Sequence, residues 1–160
     1  MNDRDICLLT KVMRALYYDF LNAMDKACLR FRVTSTARDY KVQVALYAQG
    51  REPLHNVNAY RMSAGLSPIT DAENQHRVTW TLNSLHVIRT DDNDPDNDFA
   101  RAFDIVLYNG NGRAHYDVKV DANAAGGPDY DEAGRIGESV GLKWGGRFRN
   151  PDKPHFQEPD

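Results

Sequence analysis

Apolar positions in the first third of the chain recur at spacings of three and four, the period of an amphipathic helix. This spacing predicts a helix over residues 5–29 and a second helix over residues 37–50, where Gly50 is a suitable C-terminal stop. Between them, residues 31–36 alternate and are rich in β-branched side chains, which predicts a strand. Residues 52–77 are polar and contain two prolines, so they predict a loop with at most a short helix.

The second half of the chain is dominated by short stretches that predict strands. Residues 78–82, 101–108 and 117–120 are three candidates, and a last strand is predicted around residues 155–157. Helical spacing returns over residues 129–140, where an aspartate is suited to the N-cap position. Helices early in the chain and a small sheet later predict an α+β fold.

Length, composition and charge exclude some classes of function. The chain has 160 residues, which predicts a single domain over residues 1–160 with a core of its own. Its formal net charge of −3 argues against a nucleic-acid-binding protein, because phosphate contacts need a clustered excess of Lys and Arg. No segment has 18 consecutive apolar residues, so no membrane insertion is expected.

The cysteines and the N-terminus indicate the compartment. Cys7 and Cys28 lie in apolar, helix-like surroundings, and we expect both to be small buried hydrophobic residues rather than a disulfide framework. Residues 1–9 lack the basic region and long apolar run of a signal peptide. The expected location is therefore, at first, the cytoplasm.

A metal site in this chain would be assembled from separated segments. The sequence has five histidines but no HExxH motif and no pair of CxxC motifs. Asp104 lies in the middle of an apolar strand, where an unpaired carboxylate is costly. A catalytic zinc ion takes three protein ligands beside a carboxylate base, which makes His86, Asp104 and His155 candidate ligands. Asp152, three residues before His155, is the candidate base, and a structural role for these residues is the alternative.

Five segments carry a family resemblance through their order and their motifs. They are residues 34–51 (ending in LYAQGR), 84–86 (SLH), 102–104 (AFD), 141–148 (GLKWGGRF) and 152–157 (DKPHFQ). Together they resemble the LAS-type metallopeptidases, the group of D-alanyl-D-alanine peptidases and phage endolysins. The resemblance implies a hedgehog/D,D-peptidase-like fold, with a small antiparallel sheet and flanking helices, and a zinc-dependent hydrolase of bacterial peptidoglycan.

The positions that match these motifs imply roles for individual residues. His86, Asp104 and His155 correspond to the group's zinc ligands. Asp152 corresponds to its acidic general base, and Arg38 corresponds to the arginine that contacts the substrate carbonyl and its developing oxyanion. The resemblance also implies substrate-binding or ligand-orienting roles for Ser84, Gln43 and Trp144.

The chain departs from the group's pattern between the first two ligands. Seventeen residues separate His86 from Asp104, more than in the group, which indicates an acidic surface loop inserted at about residues 88–99. Because the insertion follows His86 directly, His76 is the alternative ligand, although it lacks the SxH context. The aspartates of the insertion alternate as in a calcium loop, but the Gly and Glu of an EF-hand are missing. Both a solvated loop and a Ca²⁺ site stay open at Asp92, Asp94, Asp96 and Asp98.

Other polar residues give weaker indications. His55 and His115 are expected on the surface. A basic cluster near the C-terminus is expected to be a solvated face or to contact acidic groups of a wall peptide; it comprises Lys143, Arg147, Arg149 and Lys153.

The resemblance leaves more than one activity open. The compact chain favours a phage endolysin that cleaves the L-Ala–D-Glu bond of the stem peptide and passes from the host cytoplasm to the periplasm through a holin at lysis. The alternatives are a D-Ala-D-Ala carboxypeptidase and a zinc-retaining, non-catalytic wall-binding module. The expected partner is peptidoglycan, without nucleic acid or membrane insertion, and we expect a monomer.

Overall fold

A computed structural model describes residues 4–90, 94 and 97–159 of the chain. Within these residues the chain divides into two compact units. The small unit runs from Arg38 to Phe99, and the sheet unit joins the residues up to Ala37 with those from Ala100 onward. The single domain over residues 1–160 stays a prediction. Among the described residues, no helix is both long and apolar enough to cross a membrane.

The described residues form an α+β fold of helices and short strands, as the sequence predicts. The helices are α1 (Lys11–Lys26), α2 (Tyr40–Ala48), α3 (Leu54–Ser63) and α4 (Asp129–Ser139). The strands are β1 (Phe31–Ser35), β2 (Arg38–Asp39), β3 (Val87–Ile88), β4 (Ala102–Tyr108), β5 (Ala114–His115), β6 (Lys143–Trp144) and β7 (His155–Gln157). Short 3-10 turns lie at Ile6–Leu8, Glu73–Gln75 and Gly145–Arg147.

The sheet unit is built around β4. This strand pairs with β1 and with β7, and β6 lies beyond β7. β5 pairs with the end of β4, and every pairing in this sheet is antiparallel. Five of the seven residues of β4 are buried, because the strand lies between neighbours in the interior of the sheet. The predicted small antiparallel sheet is therefore confirmed.

Aromatic side chains from α1 and the sheet form the core of the sheet unit. The ring of Phe20 lies 4.8 Å from that of Phe156, 5.2 Å from that of Phe31 and 5.8 Å from that of Phe103, measured between centroids. These distances are in the range where aromatic pairs attract beyond their buried area. The apolar face of α1 thus fixes the helix against β4 and β7, the two strands that carry Asp104 and His155.

The small unit contains α2, α3 and a two-stranded parallel sheet. β2 pairs with β3, and Arg38 lies opposite Val87 in the register. α3 lies within residues 52–77, where the sequence predicts at most a short helix. Residues 73–82 also lie in the small unit and are irregular except for one 3-10 turn; they form its irregular segment.

The first predicted helix is shorter than its hydrophobic spacing indicates. α1 begins after Thr10, whose Oγ1 accepts a hydrogen bond from the Met13 backbone N–H at 3.0 Å. It ends before Cys28, which has the left-handed φ of +57°. The prediction that Cys7 and Cys28 are buried is wrong, since both are exposed. Neither residue belongs to α1, so neither lies on its buried face.

Two of the predicted strands do not form. Residues 78–82 have no strand partner, because side chains of Gln43 and Arg51 donate to their backbone carbonyl oxygens. Residues 117–120 are also irregular, and β5 lies just before them.

The helix predicted over residues 129–140 is present as α4, with its start shifted by one residue. Pro128 occupies the N-cap position, and Asp129 lies inside the helix. Asp129 is completely buried, and both of its carboxylate oxygens accept a hydrogen bond from the Ala122 backbone N–H at 3.0 Å. The aspartate therefore holds the preceding loop instead of capping the helix.

Candidate metal centre

Asp104 and His155 lie opposite each other on adjacent strands of the sheet. They are opposite residues in the antiparallel register of β4 and β7, and such residues have Cβ atoms about 5 Å apart. His155 Nδ1 lies 3.0 Å from Asp104 Oδ1, with 11% of the His155 side chain and 24% of the Asp104 side chain exposed. The carboxylate inside the apolar strand is therefore paired, which offsets the cost of placing it there.

Gln157 holds the other edge of the His155 ring. It lies two residues further along β7, so the two side chains project from the same face of the strand. Gln157 Oε1 is 3.1 Å from His155 Nε2. When Nε2–H donates to this oxygen, Nδ1 remains on the Asp104 side of the ring. This is the usual arrangement of a ligating histidine, in which one nitrogen binds metal and the other donates to a protein oxygen.

The surroundings of His155 favour its protonated form. Burial lowers the pKa of the imidazole, but the hydrogen bond and charge of Asp104, with smaller contributions from Gln157 and Asp152, outweigh burial. The pKa of His155 therefore lies above its ordinary value. A metal ion would compete with the proton for the ring nitrogen.

The GLKWGG segment positions the loop that contains Asp152. The Asp152 N–H donates to the Gly145 carbonyl oxygen at 2.9 Å. A side chain at Gly145 would not fit, because its Cβ would lie 2.4 Å from the Asp152 carbonyl oxygen. Trp144 is buried, and its Nε1–H donates to the Lys153 carbonyl oxygen at 2.9 Å. Asp152 itself is exposed, and its charge acts on His155.

In the small unit, His86 and Arg38 are neighbours. The Arg38 N–H donates to the His86 carbonyl oxygen at 2.8 Å, and His86 is buried with 3% of its surface exposed. Ser84 Oγ accepts a hydrogen bond from the His86 N–H at 3.3 Å. Ser84 thus stabilises the backbone turn at His86, and its ligand-orienting role stays a prediction.

Gln43 connects Arg38 to the irregular segment of the small unit. Its side chain is completely buried, and its Oε1 accepts a hydrogen bond from Arg38 Nη1 at 3.4 Å. Its Nε2 donates to Thr79 Oγ1 at 3.2 Å and to the Thr81 carbonyl oxygen. These contacts make Gln43 a positioning residue for Arg38.

His86, Asp104 and His155 each offer a ligand atom, and these atoms lie within 4.8 Å of one another. Two imidazoles and one carboxylate are a donor set typical of catalytic zinc sites, which keep a further position open. The chemistry of the three residues therefore fits a zinc ion. The alternative ligand His76 is exposed and does not take part in this cluster.

The other sequence predictions about polar residues have mixed outcomes. Of the proposed calcium residues, Asp92 and Asp96 lie outside the described residues, and nothing seen at Asp94 or Asp98 supports a calcium site. His55 is exposed, whereas His115 is half-buried, with its ring centroid 6.1 Å from that of Tyr130. Two members of the basic cluster form ion pairs with α4: Arg147 with Glu138 at 2.9 Å and Lys153 with Asp131 at 2.6 Å.

Sequence reasoning misses two neighbours of His155. Gln157 could have been found from the two-residue period of a strand, which places it on the same face as His155. Phe148, whose ring centroid lies 5.7 Å from that of His155, approaches from the turn after β6. No periodic pattern indicates that contact, although Phe148 lies within the GLKWGGRF segment.

Comparisons with known proteins support the peptidase group. Residues 98–158 match a family model described as D-alanyl-D-alanine carboxypeptidase. This stretch contains Asp104, Asp152 and His155, whereas Arg38 and His86 precede it. The fold is similar to that in the crystal structure of Serratia marcescens L-Ala D-Glu endopeptidase ChiX, with a TM-score of 0.56 over 99% of this chain and 87% of that chain. The sequence identity is 14%, so this likeness concerns the fold alone.

No curated protein matches the sequence. The family match over residues 98–158 confirms the resemblance to the LAS-type group and supports a peptidase. The structural neighbour confirms the D,D-peptidase-like fold. The phage origin, the identity of the metal and the bond that is cleaved stay predictions.

Proposed function

We propose that this chain is a zinc-dependent peptidoglycan hydrolase that cleaves the L-Ala–D-Glu bond of the stem peptide. The observation that supports it most is the cluster of His86, Asp104 and His155, whose ligand atoms lie within 4.8 Å of one another. A zinc ion held by these residues would supply Lewis-acid activation of water and of the substrate carbonyl.

Asp152 is the general base of the proposed reaction. It is exposed to incoming substrate, and the Gly145 carbonyl oxygen holds its backbone N–H. Its carboxylate takes the proton of the attacking water and passes it to the leaving amine. A carboxylate in this role needs a fixed position, which the close approach of Gly145 to the loop provides.

Arg38 stabilises the oxyanion that develops on the substrate carbonyl. Its guanidinium group contacts buried Gln43, and its backbone is paired with His86. A planar guanidinium keeps its charge at any working pH and presents several N–H donors in a fixed fork. Such donors contribute most when they are held in place before the reaction begins.

The bond that is cleaved has two supported candidates. The likeness in fold to an L-Ala D-Glu endopeptidase extends over 99% of this chain and favours the endopeptidase. The description of the family that matches residues 98–158 favours a D-Ala-D-Ala carboxypeptidase. Both reactions use the same groups, so the difference lies in how substrate is positioned.

Mass spectrometry of digested muropeptides distinguishes these reactions. Zinc-loaded protein that exposes a new N-terminal D-Glu is the endopeptidase, and loss of a terminal D-Ala indicates the carboxypeptidase. Asp152→Asn is the matched control: it should lower the rate about 10²- to 10⁴-fold and leave the metal content unchanged. A protein that binds zinc and wall but releases neither product would be a wall-binding module.

We also propose that the protein acts as an endolysin, a monomer that waits in the host cytoplasm and reaches the periplasm through a holin. Co-expression in a bacterial host tests this route. Lysis should require both the protein and a holin, and lysis by the protein alone would contradict it. The net charge of −3 argues against nucleic acid as the partner.

A further inference from the structure

An exposed tryptophan lies in the irregular segment of the small unit. Trp80 has 67% of its surface exposed, whereas the other tryptophan of the chain, Trp144, has 5% exposed. Tryptophan is mostly buried in proteins, because exposing its large ring to water is unfavourable. A single exposed apolar residue is normal on a protein surface, so its exposure indicates a ligand only when the segment around it is held in place.

The first part of the segment is attached just beyond the end of α2. Gln49, itself buried, donates from Nε2 to the Glu73 carbonyl oxygen at 3.0 Å. The Gly50 N–H donates to Asn74 Oδ1, also at 3.0 Å. Gly50 has a φ of +74°, and a Cβ there would lie 2.9 Å from the Arg77 backbone nitrogen. Only glycine at this position lets the segment approach so closely.

The second part of the segment is attached on both sides of Trp80. Buried Gln43 donates to Thr79 Oγ1 at 3.2 Å and to the Thr81 carbonyl oxygen. Arg51 Nη2 donates to the Thr79 carbonyl oxygen at 3.0 Å. The residues before and after Trp80 are therefore fixed, while the indole between them is exposed to solvent. Such preorganisation lowers the entropy lost when a ligand binds.

The same side chain that holds this segment also contacts the proposed oxyanion arginine. Gln43 Oε1 accepts from Arg38 Nη1 at 3.4 Å, and Gln43 Nε2 donates to Thr79 and Thr81. The Trp80 segment is thus two hydrogen bonds from Arg38. A ligand whose reacting carbonyl contacts Arg38 also reaches the indole if the ligand carries another group close to that carbonyl.

We propose that Trp80 binds the sugar ring that carries the stem peptide, by stacking of the indole on the apolar face of the pyranose. This inference rests on the proposed function. In peptidoglycan the L-Ala residue is joined to the lactyl group of muramic acid, so a sugar lies next to the L-Ala–D-Glu bond. The Arg77 guanidinium, whose carbon lies 5.8 Å from the Trp80 ring centroid, adds a cation that suits the acidic groups of the same ligand.

Paired substrates with and without the sugar test the assignment. Trp80→Ala should raise KM about tenfold for an N-acetylmuramyl peptide and leave kcat and the KM of the sugar-free peptide unchanged. Trp80→Phe, which keeps an aromatic face, should recover part of the loss. Tyr116→Ala is the matched control, since it removes another aromatic ring that is 60% exposed, in the sheet unit.

Fluorescence gives a second measurement that does not depend on turnover. In an Asp152→Asn background, the N-acetylmuramyl peptide should shift the emission to shorter wavelength, whereas the sugar-free peptide should not. The change reports on Trp80, because Trp144 is already buried.

The outcomes separate this inference from the proposed function. If wild-type protein releases no product from wall, the proposed function fails. If wild-type protein is active and Trp80→Ala has unchanged KM for both substrates, the assignment of Trp80 is overturned. An equal loss for both substrates would place Trp80 against the peptide and would also overturn the sugar assignment.

Discussion

Gly134→Ala tests whether packing around Trp144 fixes the geometry of the metal centre. A Cβ at Gly134 would lie 2.3 Å from Cδ2 of Trp144, 2.4 Å from Cε2 and 2.5 Å from Cε3, all far inside van der Waals contact. The ring has little room to move away. Its Nε1–H is bonded to the Lys153 carbonyl oxygen, and a Cβ at Gly146 would lie 2.2 Å from ring atom Cζ2.

Two effects of opposite sign determine how much Gly134→Ala changes the free energy of unfolding. Replacing a glycine inside a helix by alanine stabilises the helix by about 1 kcal/mol. Overpacking a filled interior costs about 1–3 kcal/mol, and more when the backbone has to shift. Because three atoms of a rigid ring are in the way, we expect the clash to dominate, with a net loss of about 2 kcal/mol in the free energy of unfolding. For a chain of this size, that loss lowers Tm by about 4–8 °C.

Urea denaturation followed by circular dichroism measures the loss, and zinc affinity measures its effect on the site. Gly127→Ala is the control, because a Cβ at Gly127 has no atom within 4 Å and the residue has no left-handed φ. A displaced Trp144 pulls on the Lys153 carbonyl, two residues before His155, so zinc binding should also weaken. Equal unfolding free energies for the two variants would refute the packing argument.

Substitutions at Arg38 and Gln157 test the other parts of the site, and one at Tyr130 tests the sheet unit. Arg38→Lys keeps the charge but not the planar fork, so kcat on wall should fall about 10²-fold or more with unchanged zinc content; a wild-type rate would remove Arg38 from the reaction. Gln157→Leu removes the acceptor for His155 Nε2–H and should weaken zinc binding about 10- to 100-fold in chelator competition, whereas Gln157→Glu should retain it; equal affinities for all three proteins would be evidence against the orienting role. Burial raises the pKa of Tyr130 from 10.0 to about 12. Because the unfolded chain loses this proton at a lower pH than the folded chain, the free energy of unfolding should fall as pH rises above 10. In urea titrations at alkaline pH, Tyr130→Phe should show a smaller decline in this free energy than wild type.

The strand that carries Asp104 was predictable because its sequence is apolar at nearly every position. A strand buried on both faces needs such a sequence, and a lone carboxylate in it requires a partner. The pairing of Asp104 with His155 was not predictable in the same way. It depends on the register of β4 and β7. A sequence pattern specifies the register only indirectly, by determining which face of each strand is buried. Motif resemblance supplied the identity of the partner, and the structure supplies the 3.0 Å contact.

The failed strand at residues 78–82 shows where periodicity misleads. The alternation of threonines around Trp80 is typical of a strand, but none of residues 78–82 is buried. The hydrogen bonds that would form a ladder are made with Gln43 and Arg51, which lie far away in the sequence. An alternating pattern favours a strand, but it does not report whether the backbone hydrogen bonds are made with another strand or with side chains.

The hydrogen bonds that hold the irregular segment also give a physical reason for the LYAQGR motif, a part of the family resemblance that supplies no catalytic group. In LYAQGR, Gln49, Gly50 and Arg51 all contact the segment over residues 73–79. Their contacts make this stretch a support for Trp80, not a source of catalytic groups. Substitutions there should therefore raise KM for wall while zinc affinity stays at the wild-type value. Substitutions in GLKWGG, which supports the His155 loop, should instead lower zinc affinity, so the two motifs are separable by measuring both quantities on the same variants.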